Sequence, residues 1–152
     1  MQTPEESVKY KYLSLAATLA LILAMTSLCL THQFFAQGTI TIGVQIAAGL
    51  LMLWARVVFG IRSFHAAANT TSGKLVTNGP YKYMRNPIYT AILLFAWTGI
   101  ISHASPVSIL LGGGVTAAIL VRIFCEEQFL QVAYPAYATY RQQTKRLIPF
   151  VC

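Results

Sequence analysis

The chain has 152 residues, 56% of them hydrophobic and 10% charged, with a mean hydropathy of +0.59. Soluble domains carry about a quarter charged residues, so this composition excludes an ordinary soluble domain and points to a single membrane-embedded one, spanning 1–152. A formal charge of +7 raises nucleic acid as a partner, but the cations flank apolar runs and form no continuous stripe, which excludes it.

The first eleven residues form a polar head carrying Glu5, Glu6, Lys9 and Lys11. Residues 12–30 follow as 19 residues without a charge, enough for about 28 Å of helix and so for the hydrocarbon core. A signal peptide is the competing reading. Its apolar core runs only about 7 to 15 residues and ends at a small-residue cleavage site; this run is longer and no Ala-x-Ala follows, so it is read as a span. Residues 31–39 contain no Lys, Arg, Asp or Glu. The second span, 40–61, is interrupted by Gln45 and by Arg56. Its Gly43, Ala47, Ala48 and Gly49 offer small faces for close helix approach, within the chain or to a second copy. Arg56 either snorkels to the interface or takes a ligand or ion-pair role.

Gly73 to Tyr89, GKLVTNGPYKYMRNPIY, is a polar, basic island in this apolar chain. Gly79-Pro80 marks a tight turn and Asn86-Pro87 a second break, because the residue before a proline is pushed out of helical dihedrals. Between them Tyr81, Lys82, Tyr83 and Arg85 supply rings and cations suited to an anionic or aromatic ligand. The loop from 62 to 87 is far longer than most connections, which argues against a passive linker.

Residues 88–103 make a short third span of 16 residues. A minimal turn follows, and Pro106 at a first helical position opens the fourth span, 106–124, where Gly112, Gly113 and Gly114 are read as a close-packing face. No strand precedes these glycines, so they are no dinucleotide fingerprint. The predicted fold is therefore all-α: four transmembrane helices, a cytoplasmic loop, and a C-terminal segment from 125 to 152 that carries an interfacial helix. The tail places Tyr134, Tyr137 and Tyr140 at three-residue steps before Arg141, Lys145 and Arg146, with Pro149 as its stop.

All 11 basic residues fall on one side of a four-span arrangement. The positive-inside rule then puts both termini and the basic island in the cytoplasm, of a plasma (inner) membrane or the endoplasmic reticulum. Glu5, Glu6, Glu126 and Glu127 lie on that side too. Arg122 and Glu126 are four residues apart and share one face of a continuing helix, beside Glu127 and Leu130. Charged groups at a span's end are costly unless paired or used; an interfacial ion pair and a site are both open. The cysteines, Cys29, Cys125 and Cys152, and the histidines, His32, His65 and His103, have no ligand spacing, and no metal is expected.

Together, LVTNGPYKYMRNPIYTA, the downstream Glu-Glu-x-x-Leu and the tyrosine-rich tail ending in Arg-Leu-Ile-Pro resemble the isoprenylcysteine carboxyl methyltransferase superfamily of integral-membrane enzymes, which includes phospholipid N-methyltransferases. The likeness covers Arg56 to Phe150. It implies an S-adenosylmethionine-dependent methyltransferase, with the donor held at the cytoplasmic membrane face between the basic island and the Glu-Glu helix. It implies donor contacts from Gly73, Lys74, Leu75, Val76, Tyr81, Asn86, Pro87, Ile88, Tyr89 and Glu126. Arg85 and Glu127 are added as a cation and a carboxylate suited to the donor, and Arg122, Glu126 and Tyr89 are the expected catalytic residues. Arg122 and Arg56 are the residues expected to meet the substrate. The eukaryotic members have histidine at the position of Asn86. An asparagine there can donate and accept hydrogen bonds but cannot titrate.

Those residue types suit the chemistry. A glutamate pairs with the donor's ammonium, cations and backbone N–H groups with its carboxylate, and tyrosine faces with its adenine or sulfonium. Arg122 favours an acceptor carboxylate, already ionised at neutral pH, over an amine that must first lose a proton. The expected partners are membrane lipids and an amphipathic, lipid-like substrate such as a prenylcysteine-type carboxylate. Phospholipid N-methylation is the alternative acceptor chemistry, and an NADPH-dependent membrane reductase of related fold is the alternative enzyme.

Overall fold

The computed structural model describes residues 4–60 and 75–148. They form helices α1 (Pro4–Leu30), α2 (Thr39–Phe59), α3 (Pro87–His103), α4 (Pro106–Ala133) and α5 (Tyr137–Gln143), with a short 3-10 turn at Gly79–Lys82 between α2 and α3. No strand occurs among the described residues; Met84 and Lys145 form one isolated parallel bridge.

Three helices, α1, α2 and α4, are long and apolar enough to cross a membrane, and α3, with 17 residues, is a shorter apolar helix. At about 1.5 Å per residue α3 extends about 25 Å, less than the roughly 30 Å hydrocarbon core. Helix α4 runs nine residues beyond the predicted end of the fourth span at 124, to Ala133, because nothing from Phe124 to Ala133 breaks a helix and Pro135 lies just past it. Glu126 and Glu127 therefore sit inside the helix. The tail's interfacial helix is shorter than its tyrosine spacing suggests: α5 has seven residues, and Pro149 lies outside the described residues.

Helix α1 lies along α4 and α2 along α3, with α3 and α4 joining the two pairs. Leu28, Ile100, Val115, Ile119 and Ile123 close the core between α1, α3 and α4. The outward faces stay apolar, with Leu19, Leu23, Ile46, Leu50 and Leu110 all exposed. In water such faces would be far larger than a monomer tolerates; in a bilayer they meet acyl chains.

The end opposite the basic island is held by polar ties. Gln45 accepts from the Ala36 amide at 2.9 Å and donates to the carbonyls of Phe34 at 2.9 Å and Phe95 at 3.0 Å. Gly99 lets this crossing approach α3, since a Cβ there would lie 2.5 Å from the Phe34 carbonyl oxygen. Ser105 and Ser108 form a capping box at the start of α4. The predicted glycine face of α4 divides: a Cβ on Gly112 would meet Ile100 and Trp97, whereas Gly113 and Gly114 face open space. Likewise Ala48 is buried, while Gly43, Ala47 and Gly49 are exposed.

Candidate functional site

At the other end, α3 and α4 bring three polar side chains together. Pro87 starts α3 without sacrificing a helix hydrogen bond, and Tyr89 in that first turn faces α4. Arg122 Nη2 donates to Glu126 Oε1 at 2.8 Å, the i, i+4 geometry the sequence predicts. Tyr89 Oη donates to the same oxygen at 2.5 Å and accepts from Arg122 Nε at 2.7 Å. The guanidinium carbon also lies 5.7 Å from the Tyr89 ring centroid, a cation–π distance. Arg122 Nη1 donates to Thr18 Oγ1 of α1. The Arg122 side chain is 8% exposed and that of Glu126 28%, so the carboxylate is the open member of the cluster.

Glu127, the next residue, turns to a different set of partners. Arg85 Nε reaches Glu127 Oε1 at 3.0 Å and Arg146 Nη2 reaches Oε2 at 2.9 Å, and the carboxylate is 4% exposed. A carboxylate so buried is tolerable only because both oxygens are paired. Arg85 carries the same knot further, its Nη1 donating to the carbonyls of Arg141 at 3.0 Å and of Thr144. The segment after α5 is then laced onto the basic island. The Arg85 amide donates to the Lys145 carbonyl at 2.8 Å, Asn86 Nδ2 to the Arg146 carbonyl at 3.1 Å, and Thr90 Oγ1 to the Leu147 carbonyl at 2.8 Å.

A groove of about 950 Å³ opens beside this knot, between Leu75–Lys82 on one wall and Tyr134–Thr144 on the other. That volume lies within the range of small-molecule sites, about 300–1,000 Å³. Tyr140 lines it and donates through Oη to the Tyr81 carbonyl at 2.6 Å. Burial pushes the Tyr140 phenol up to about 12, so it stays a donor. Burial raises Tyr81 as well, Tyr140 and Glu126 adding to the rise and Arg56 opposing it. Tyr137 is raised by burial and then by Glu127, and its Oη is buried without a partner among the described residues.

The predicted site residues separate accordingly. Tyr89, Arg122 and Glu126 converge, and Arg85, Asn86 and Glu127 converge next to them. Tyr81 is buried, 5.5 Å centroid to centroid from Phe59 at the end of α2. Leu75 lines the groove; Val76 and Ile88 are half-buried and Pro87 fully buried. Arg56, three residues before the end of α2, exerts its charge on Tyr81. Gly73 and Lys74 lie outside the described residues. Sequence reasoning missed Thr18, Thr90 and the pairing of Arg146 with Glu127, and gave Tyr140 only a place in the tyrosine run of the tail. Nothing marks one threonine in an apolar span, and the ties of the tail run to main-chain carbonyls, which leave no trace in side-chain identity. Among the described residues no group of three or more His, Cys, Asp or Glu side chains could hold a metal.

An apolar helical bundle whose paired charges gather at one end defines a membrane protein with a polar site at the edge of the bilayer. The phospholipid methyltransferase family model matches residues 33–137. That range is more than half of the chain, and the chain belongs to this family of membrane methyltransferases, in agreement with the superfamily its motifs resemble. It takes in α2, the basic island, α3 and α4 and leaves α1 outside. No curated protein and no solved structure matches the chain.

Proposed function

We propose that this protein transfers a methyl group from S-adenosylmethionine to a lipid-like acceptor at the cytoplasmic face of its membrane, with a carboxylate as the acceptor group. The observation that carries this reading is the Arg122–Tyr89–Glu126 cluster, in which one carboxylate is left 28% exposed just beyond the apolar stretch of α4. When bound, S-adenosylmethionine supplies an electrophilic methyl group on a cationic sulfur. The residues present fit it: Glu126 is open to a cationic group, the Tyr89 ring lies beside it, and a groove of about 950 Å³ adjoins the same loop.

Glu126 is the partner of the donor's ammonium. Glu127, closed off by Arg85 and Arg146, holds the loop and tail in place. As Glu126 turns to the donor, Arg122 is released to take the acceptor's carboxylate, with Tyr89 fixing the plane of the guanidinium. Methyl transfer asks the protein chiefly for alignment and a dry site, and alignment alone can lower a barrier by roughly 7 to 11 kcal/mol. All described cations lie toward the end that carries the basic island, which supports four spans with this end in the cytoplasm.

The family match favours a second acceptor, the amine of a phospholipid headgroup. Glu126, hydrogen-bonded to Tyr89, then serves as the nearest base for the ammonium proton. The match gives no support to the reductase alternative. Purified protein in vesicles, given radiolabelled S-adenosylmethionine with either an S-prenylated cysteine or phosphatidylethanolamine, decides between the acceptors. Label on the prenylated cysteine is the expected result, and label on phosphatidylethanolamine alone replaces carboxylate with amine. No label on either, with no donor binding by calorimetry, overturns the reading.

A further inference from the structure

Helix α1 lies outside the range that matches the family, yet it reaches the site. Arg122 presents three nitrogens, and each meets a different element: Nε the Tyr89 hydroxyl of α3, Nη2 Glu126 of α4 itself, and Nη1 the Thr18 hydroxyl of α1. The Thr18 hydroxyl is oriented for this task. Its proton goes to the Ser14 carbonyl one turn back, at 2.8 Å, so its oxygen presents lone pairs to the arginine. Ser14 is fully buried, which leaves this turn of α1 no freedom to slide away. Tyr10, two turns earlier, packs edge-on against Phe124 and Phe129 of α4, at centroid distances of 5.9 and 6.4 Å. Leu28 closes the same interface at the far end.

We infer that Thr18 is a positioning residue for Arg122, and that α1 thereby forms the acceptor side of the site. A guanidinium fixed at only two nitrogens can swing about its remaining bonds. With Nη1 held from a third helix its plane is set, and a planar fork must be set before it can meet a carboxylate or phosphate oxygen pair. Thr18 bonds the acceptor's clamp, whereas Glu126 and the basic island build the donor side. Changing the threonine should therefore alter the acceptor and spare the donor. This inference rests on the methyltransferase reading, with Arg122 as the acceptor's clamp.

The test uses the full chain in lipid nanodiscs, with Thr18→Val, which keeps the shape and removes the hydroxyl, and Thr18→Ser, which keeps the hydroxyl. Thr18→Val is expected to raise KM for an S-prenylated cysteine about tenfold, the loss typical of one hydrogen bond to a charged group, while S-adenosylmethionine affinity by calorimetry stays unchanged. Thr18→Ser should restore KM. Nitrogen-15 spectra of the arginine side chains give a readout independent of turnover: rotation of the Arg122 guanidinium should quicken in Thr18→Val and stay slow in Thr18→Ser. Equal spectra and equal KM in all three proteins would overturn the inference and leave Thr18 a packing residue. If the wild type methylates neither a prenylated cysteine nor phosphatidylethanolamine, the functional reading fails by itself, and the spectra still decide whether Thr18 holds Arg122.

Discussion

Glu126 and Glu127 are neighbours in sequence, and about 100° apart around the helix they meet opposite fates. One is partly open and shares its hydrogen bonds with a tyrosine and an arginine; the other is sealed between two arginines. Replacing Glu127 with Ala strands Arg85 and half-exposed Arg146 beside a void, and breaking a buried pair costs about 3–5 kcal/mol, to be seen as a lowered unfolding temperature in detergent. Glu126→Gln should lower that temperature less, because the amide oxygen can still accept from Tyr89 and Arg122 and no void is left. It should still weaken S-adenosylmethionine binding by calorimetry by roughly tenfold or more, the scale of a charged hydrogen bond. Tyr140 adds a pH signature. Its phenol titrates near 10 when unfolded and at about 12 when folded, so the folded form holds the proton longer. The stability it contributes is complete below pH 10 and is lost as pH rises toward 12. Tyr140→Phe should flatten the alkaline limb of the stability curve and cost about 1 kcal/mol at neutral pH through the hydrogen bond to Tyr81.

At the scale of elements, the helices were legible in sequence because uncharged runs and proline breaks state them directly: Asn86-Pro87 opens α3 and Pro106 opens α4, as predicted. The end of α4 was not legible. Charges at Arg122, Glu126 and Glu127 read as the end of a span, whereas pairing them with Tyr89, Arg85 and Arg146 lets one helix carry them onward. The three consecutive glycines also read alike and act differently. Gly112→Ala needs Ile100 and Trp97 to shift, while Gly113→Ala and Gly114→Ala meet nothing within 4 Å and should stabilise α4 by about 0.5–1 kcal/mol each. Gly99→Ala, pressed on the Phe34 and Gln33 carbonyls at 2.5 and 2.7 Å, should cost about 1–3 kcal/mol as overpacking. Thermal unfolding of the four variants in one detergent checks the order.

For the whole molecule, the sidedness of the charges predicts which residues face which compartment. With the native cysteines replaced by serine, Gln37→Cys should react with a membrane-impermeant maleimide added outside intact cells, and Lys82→Cys only after the membrane is opened. The reverse pattern would invert the topology. Tyr89 joins the site through the family resemblance, whereas the bilayer class, the helix order and the pairing of Arg122 with Glu126 follow from patterns a single chain displays. The roles of Thr18 and of the tail do not, because one is a lone hydroxyl in a greasy helix and the other acts through its peptide groups.

The lacing of residues 145–147 onto Arg85, Asn86 and Thr90 also sets an order of assembly. A ribosome delivers α1 to α4 to the membrane well before it makes the residues that clasp the basic island. During that interval Arg85 and Glu127 lack their last partners, so a growing chain is inserted before it is competent. Arrested chains released before Thr144 should therefore integrate normally and fail to bind the methyl donor.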